Sequence, residues 1–286
     1  MLKIATFLFA IFVLNEARYH RYFDPQNELI ETKWMDRKVV GNSGRIVNGE
    51  PADIADFPYM LVLIDLVRGG FRCGASVISL HWSLSAAHCT DIGTPYHMVN
   101  FRGGSTNRSN GGFIFFVQQY WNHPLYGHPD NARRLAYDIS ILRTQSDSPM
   151  QGLHVAPVAL PPNCNNDVCC NICGGTTIVV TGWGVTETGS TSQTLRQLTA
   201  PVMSLAECDR IWGRMGPSFF CKATINGRDT CGGDSGSPLV TGTGSGRVQH
   251  GVVSFGSTVC GDGAPSVNIR IEHSIIRDWI RQLSGV

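Results

Sequence analysis

The sequence predicts an all-β protein that closes on a single C-terminal α-helix. Short apolar stretches alternate with turn signals from residue 46 onward, 32 glycines and 14 prolines supply the turns, and helical period appears only near the end. In chain order the strand candidates are 59–66, 76–80, 113–118, 138–142, 177–180 and 248–255. Their spacing suits a sandwich or barrel rather than βαβ units. The helix is expected over 274–284, with Ser274 as its cap. Ile275, Ile276, Trp279, Ile280 and Leu283 would share one face, while Arg277, Asp278 and Arg281 face water.

The 286 residues suffice for one large domain or two small ones. With 42% hydrophobic and 16% charged residues the chain is globular, and a net charge of +1 leaves no footprint for nucleic acid or an anionic membrane. Lys3 followed by an apolar run over 4–14 reads as a signal peptide ending near Ala17, since eleven residues are too few to span a bilayer. Asn15 is an indifferent residue two places before that cut. Residues 18–45 are polar, lack cysteine and end in Gly44-Arg45, which reads as a pro-segment before a domain at 46–286. The expected location is secreted and extracellular, with no membrane partner.

Ten cysteines agree with an oxidising compartment. Six fall in pairs enclosing short loops: Cys73 with Cys89, Cys208 with Cys221, and Cys231 with Cys260. Spacing does not prove those pairings. Cys164, Cys169, Cys170 and Cys173 crowd together; a metal knot and local disulfides both fit, and the compartment favours disulfides. A bond between adjacent Cys169 and Cys170 is the least favoured, because its ring is strained. Asn107-Arg108-Ser109 is an N-glycosylation acceptor.

Chemistry concentrates in Cys231-Gly232-Gly233-Asp234-Ser235-Gly236-Ser237-Pro238. Small neighbours leave the Ser235 hydroxyl uncrowded and allow backbone N–H groups to converge on a developing oxyanion. Ala86-Ala87-His88-Cys89 supplies a histidine to take the proton, and Tyr137-Asp138-Ile139 an acid to orient it.

With Ile46-Val47-Asn48-Gly49, Gly182-Trp183-Gly184, Ser254-Phe255-Gly256 and Asp278-Trp279-Ile280, these motifs resemble the trypsin/chymotrypsin family of serine endopeptidases over nearly all of 46–286. The resemblance implies two six-stranded antiparallel β-barrels, roughly 46–157 and 158–273, with the active site in the cleft between them. It implies Ser235 as nucleophile, His88 as general base and then acid, Asp138 as the orienting partner, and the N–H groups of Gly233 and Ser235 as oxyanion hole. Ser254 would support Asp138, and the backbone of Ser254, Phe255 and Gly256 would pair with an extended substrate. A cut after Arg45 would free the Ile46 amine to pair with Asp234, so the uncut chain is expected to be a zymogen.

By the same resemblance Asp229 lies at the base of the primary pocket and selects Arg or Lys, with Thr230 offering a hydroxyl and Gly256 keeping the mouth open. Ser266 stands where a glycine is usual and adds bulk to a wall. Phe255 replaces a tryptophan, and Ser237 a glycine. Ile178 and Thr241 occupy both ends of a disulfide common in vertebrate members. Residues 105–112 contain no Asp or Glu where many trypsins bind calcium, so no metal and no cofactor is expected. His81, His97, His123 and His128 read as structural or surface residues. Arg133-Arg134 is a solvated pair, or a self-cleavage site.

Expected partners are protein or peptide substrates, protease inhibitors, and an activating trypsin-like protease or the chain itself. An α/β-hydrolase is excluded: its Gly-x-Ser-x-Gly elbow fails at Ser237, and the order here is His88, Asp138, Ser235 rather than Ser, acid, His. The alternatives are chymotrypsin-like or broad specificity on this fold, and a non-catalytic homologue serving as a scaffold.

Overall fold

The computed structural model describes residues 49–91, 93–128, 135–164 and 172–286, all within a compact unit spanning Gly41–Val286. The expected signal peptide, the pro-segment, Arg45, Ile46, Arg133-Arg134, Cys169 and Cys170 lie outside the described residues.

The first half supplies β1 (Glu50–Pro51), β2 (Met60–Asp65), β3 (Gly70–Val77) and β4 (Trp82–Ser85), then the single turn α1 (Ala87–Thr90). It continues with β5 (Val99–Gly103), β6 (Phe113–Asn122) and β7 (Ser140–Thr144). Six of these strands close a barrel in the order β2-β3-β4-β7-β6-β5. The period of two is plain in β6, where Phe115 and Val117 are buried while Phe116 and Gln118 are exposed.

The second half supplies β8 (Thr177–Gly182), β9 (Arg196–Pro201), α2 (Leu205–Trp212), β10 (Phe219–Lys222), β11 (Pro238–Thr241), β12 (Val248–Phe255), β13 (Ser266–Arg270) and α3 (Ser274–Ser284). Its strands form a seven-stranded sheet, β1-β9-β8-β11-β12-β13-β10, rather than a second closed six-stranded barrel. The physical reason lies at the seam. There β9 and β10 meet only through a bridge between Val202 and Lys222, with Met203 N donating to Cys221 O and Ala223 N to Pro201 O. β8 pairs along one edge of β9, and β1 from the first half takes the start of the edge that faces the seam. Ile178, Val180, Leu198, Val202, Phe220, Leu239 and Val253 pack together against this sheet.

Two expectations about helices need correction. Ser204 and Glu207 form a reciprocal capping box at the start of α2, an S-x-x-E signature that the apolar pattern obscured. In α3, Ser274 is the first helical residue and His273 the cap, whose side chain does not cap the helix. Arg277 does not face water: it is buried, donating through Nε to Pro161 O at 2.7 Å and through its guanidinium to Val286 O at 2.8 Å. Burial lowers its pKa. A long stem can cross an apolar face when its head finds carbonyl acceptors.

The disulfides Cys73–Cys89, Cys208–Cys221 and Cys231–Cys260 are formed, and Cys164 and Cys173 are also disulfide-bonded. Among the described residues no helix is long and apolar enough to cross a membrane.

Candidate active site

His88 sits in α1, directly after β4, and the Cys73–Cys89 bridge ties that turn to β3. Asp138 precedes β7, leaving a tight turn in which Tyr137 has φ of 58° and Ile139 N donates to Tyr137 O at 2.7 Å. A bulky residue in the left-handed region is strained, so the surroundings must hold it. Tyr137 stacks on His123, which also meets Trp279 edge-on. His123 is thus a packing residue, and burial pushes its imidazole down to about 4.

Asp138 is fully buried and fastened from three directions. It accepts from His88 N at 2.8 Å on Oδ1, and from His88 Nδ1 at 2.7 Å and Ser254 Oγ at 2.5 Å on Oδ2. Ser254 falls where the β12–β13 register slips between Val253 and Phe255, and such a bulge re-aims a side chain out of the ladder. Because an ionised carboxylate only accepts, Nδ1 carries the proton. Nε2 is then the acceptor of an imidazole whose side chain remains 28% exposed.

The Ser235 loop is anchored to both halves. Gly74 N in β3 donates to Ser235 O at 2.8 Å, and Gly236 N donates to Val253 O in β12 at 2.9 Å. Gly233 and Gly236 have φ of 94° and 81°, a conformation that suits glycine. Among the described residues no hydrogen bond occupies the N–H of Gly233 or Ser235, whereas Asp234 N donates to Cys231 O.

Asp234 is fully buried beneath this loop, accepting from Gly184 N at 2.8 Å and Cys231 N at 3.0 Å. Desolvation outweighs those bonds and raises its pKa to about 7. Any side chain at Gly182 or Gly184 would fall on its carboxylate, which is why the Gly182-Trp183-Gly184 stretch passes here. Ser237 is buried against Gly74 and Gly182, and its hydroxyl has no partner among the described residues.

Asp229 is buried, but its carboxylate is engaged by the chain itself. Lys222 Nζ donates to Oδ1 at 2.8 Å, and so does Thr230 N at 2.8 Å; the Thr230 hydroxyl also points at Asp229, at 3.4 Å. Sequence reasoning missed Lys222. The available signal was a lone charge at the end of an apolar strand, Phe219-Phe220-Cys221-Lys222, whose four residues are all buried. Ser266 lies in the same region, buried and opposite Lys222 in the β10–β13 register.

Cys73, His88 and Cys89 lie within metal-ligand reach of one another, but the two sulfurs are bonded together and do not form a thiolate set. The loop at 105–112 is held by Asn107 Oδ1, which accepts from Ser109 N and Asn110 N, and by the Ser105 hydroxyl.

A buried acid, an oriented imidazole and a serine in a glycine-rich loop are the apparatus of nucleophilic acyl transfer. The profile of the Trypsin family matches residues 46–280. The chain belongs to the trypsin family. It is similar to "Serine protease 1" of Drosophila melanogaster, at 36% identity over 85% of this chain and 87% of the relative. "Trypsin 5G1" of Aedes aegypti is 32% identical over 86% and 87% of the two chains. "Phenoloxidase-activating factor 3" of Holotrichia diomphalia is 29% identical over 83% and 72%. Membership in the trypsin family makes this chain a serine endopeptidase. Its substrates are proteins.

Proposed function

We propose that the protein is a secreted zymogen, activated by a cut after Arg45, that hydrolyses peptide bonds through an acyl-enzyme on Ser235. His88 Nε2 takes the Ser235 proton as Oγ attacks the scissile carbonyl, then returns it to the leaving amine. Asp138 holds the imidazole in the required tautomer and stabilises the imidazolium. The N–H groups of Gly233 and Ser235 receive the oxyanion; losing one such donor costs ~2.7–4 kcal/mol of barrier stabilisation. The freed Ile46 amine pairs with Asp234, coupling the cut to the loop that carries those donors.

The observation that carries this reading is the triple fastening of Asp138 by His88 N, His88 Nδ1 and Ser254 Oγ. A purely structural acid has no need to fix the tautomer of a partly exposed imidazole. The reading is tested by steady-state kinetics on the activated chain. Ser235→Ala should abolish turnover, and Asp138→Asn should lower kcat ~10⁴-fold by presenting the wrong tautomer. Full turnover in either variant would contradict it.

Protease inhibitors and an activating protease are the further partners this function calls for. The Arg or Lys preference expected of Asp229 requires a carboxylate available to a substrate cation. The ion pair with Lys222 argues against that preference and favours the alternative of broader or chymotrypsin-like specificity.

A further inference from the structure

Lys222 ends β10 and stands directly opposite Ser266 of β13. Antiparallel partners share a face of the sheet, so the lysine stem and the serine side chain occupy one side. The ammonium lies 2.8 Å from Asp229 Oδ1, and the two side chains are 0% and 2% exposed. An isolated buried ammonium is far costlier than a paired one, so lysine is tolerated in this apolar strand because Asp229 receives it. The two form an internal unit of no net charge.

We propose that Lys222 is a specificity-determining residue: by neutralising Asp229 it turns the primary pocket away from Arg and Lys and towards uncharged side chains before the scissile bond. The proposal rests on the reading of Asp229 as the base of that pocket. A substrate cation entering there would place two buried positive groups beside one carboxylate, leaving one uncompensated. An uncharged side chain disturbs no ion pair. The wall acts in the same direction: a methyl added at Gly256 would lie 3.7 Å from Ser266 Cα and Cβ, so the serine narrows the space facing that glycine. Ser266 is itself buried, and its hydroxyl has no partner among the described residues. The chain would then not activate itself after Arg45, and a separate Arg-cleaving protease must make the cut.

The test uses full chain cut by immobilised trypsin, which is then removed, and confirmed active by fluorophosphonate labelling. Peptides differing only before the cut carry Arg, Lys, Gln, Leu or Phe. Wild type should cleave Arg and Lys at least tenfold less efficiently, in kcat/KM, than the best uncharged peptide. Lys222→Met should raise the ratio of Arg to uncharged cleavage at least tenfold, while Lys222→Arg, which keeps the pair, should preserve the wild-type ratio. Benzamidine, as a cationic probe, should raise the melting temperature of Lys222→Met and not that of wild type, a readout independent of turnover. Lys222→Ala serves the same comparison if the methionine variant does not fold. Labelled wild type that prefers Arg overturns this proposal alone, as does an unchanged ratio in the lysine variants that label. Wild type that does not label overturns the peptidase reading and this proposal together.

Discussion

Asp138 and Asp234 are both fully buried carboxyls, yet their surroundings fit them for different work. Asp138 accepts two bonds from one histidine and one from Ser254, a set that points it at the imidazole. Asp234 has two backbone N–H donors and is dominated by desolvation, which places its pKa near 7 against 3.8 for an ordinary aspartate. A carboxyl with a raised folded pKa contributes stability that is fully present below the unfolded value, and that contribution is lost as pH rises through the folded one. In the uncut chain the window therefore runs from about 4 to about 7. The melting temperature of wild type relative to Asp234→Asn should fall across that window, and the fall should shrink once the chain is cut and an ammonium is offered to Asp234. A difference that is flat with pH in the uncut chain would contradict this account. Burial of this kind was not legible in the sequence, where Asp234 is expected to pair with the Ile46 amine and nothing local marks its desolvation.

At the scale of elements, the Ser235 loop depends on glycine at Gly236. A side chain there would fall on the Gly74 carbonyl and the Ser85 hydroxyl, and φ is already 81°. Those same groups form the strap from β3 to the loop: Ser85 Oγ donates to Gly74 O at 2.8 Å, and Gly74 N to Ser235 O at 2.8 Å. Gly236→Ala should therefore cost ~1–3 kcal/mol of backbone strain and lower kcat more than it raises KM. Thermal melts with substrate kinetics check this; an unchanged kcat would show that the strap does not position Ser235. Alternation and turn residues made six of the thirteen described strands legible at least in part, β12 at its full length of Val248–Phe255. The helix face was misjudged at Arg277, because its acceptors, Pro161 O and Val286 O, come from segments that local period does not reveal. The same applies to Lys222, whose partner lies seven residues on and meets it only once β10 and the following loop are folded.

For the whole molecule, a closed barrel presents His88 and Asp138 and a second sheet presents Ser254 and the Ser235 loop, with Asp138–Ser254 and Gly74–Ser235 bonds joining them. A two-part β architecture was implied by the family resemblance that the ordered motifs carry, since His88, Asp138 and Ser235 each lie in a distinct local sequence. The seam between β9 and β10 was not readable, because it rests on a bridge at Val202 and Lys222 rather than on a ladder. The proposed coupling between a cut after Arg45 and the Ser235 loop belongs to this scale. The most direct measurement is mass-resolved fluorophosphonate labelling of the full chain before and after trypsin treatment, in wild type and Arg45→Gln. The account predicts one adduct, on Ser235, in cut wild type and little in the uncut chain or the treated Arg45→Gln variant. Equal labelling before and after the cut, or an adduct on another residue, would contradict it.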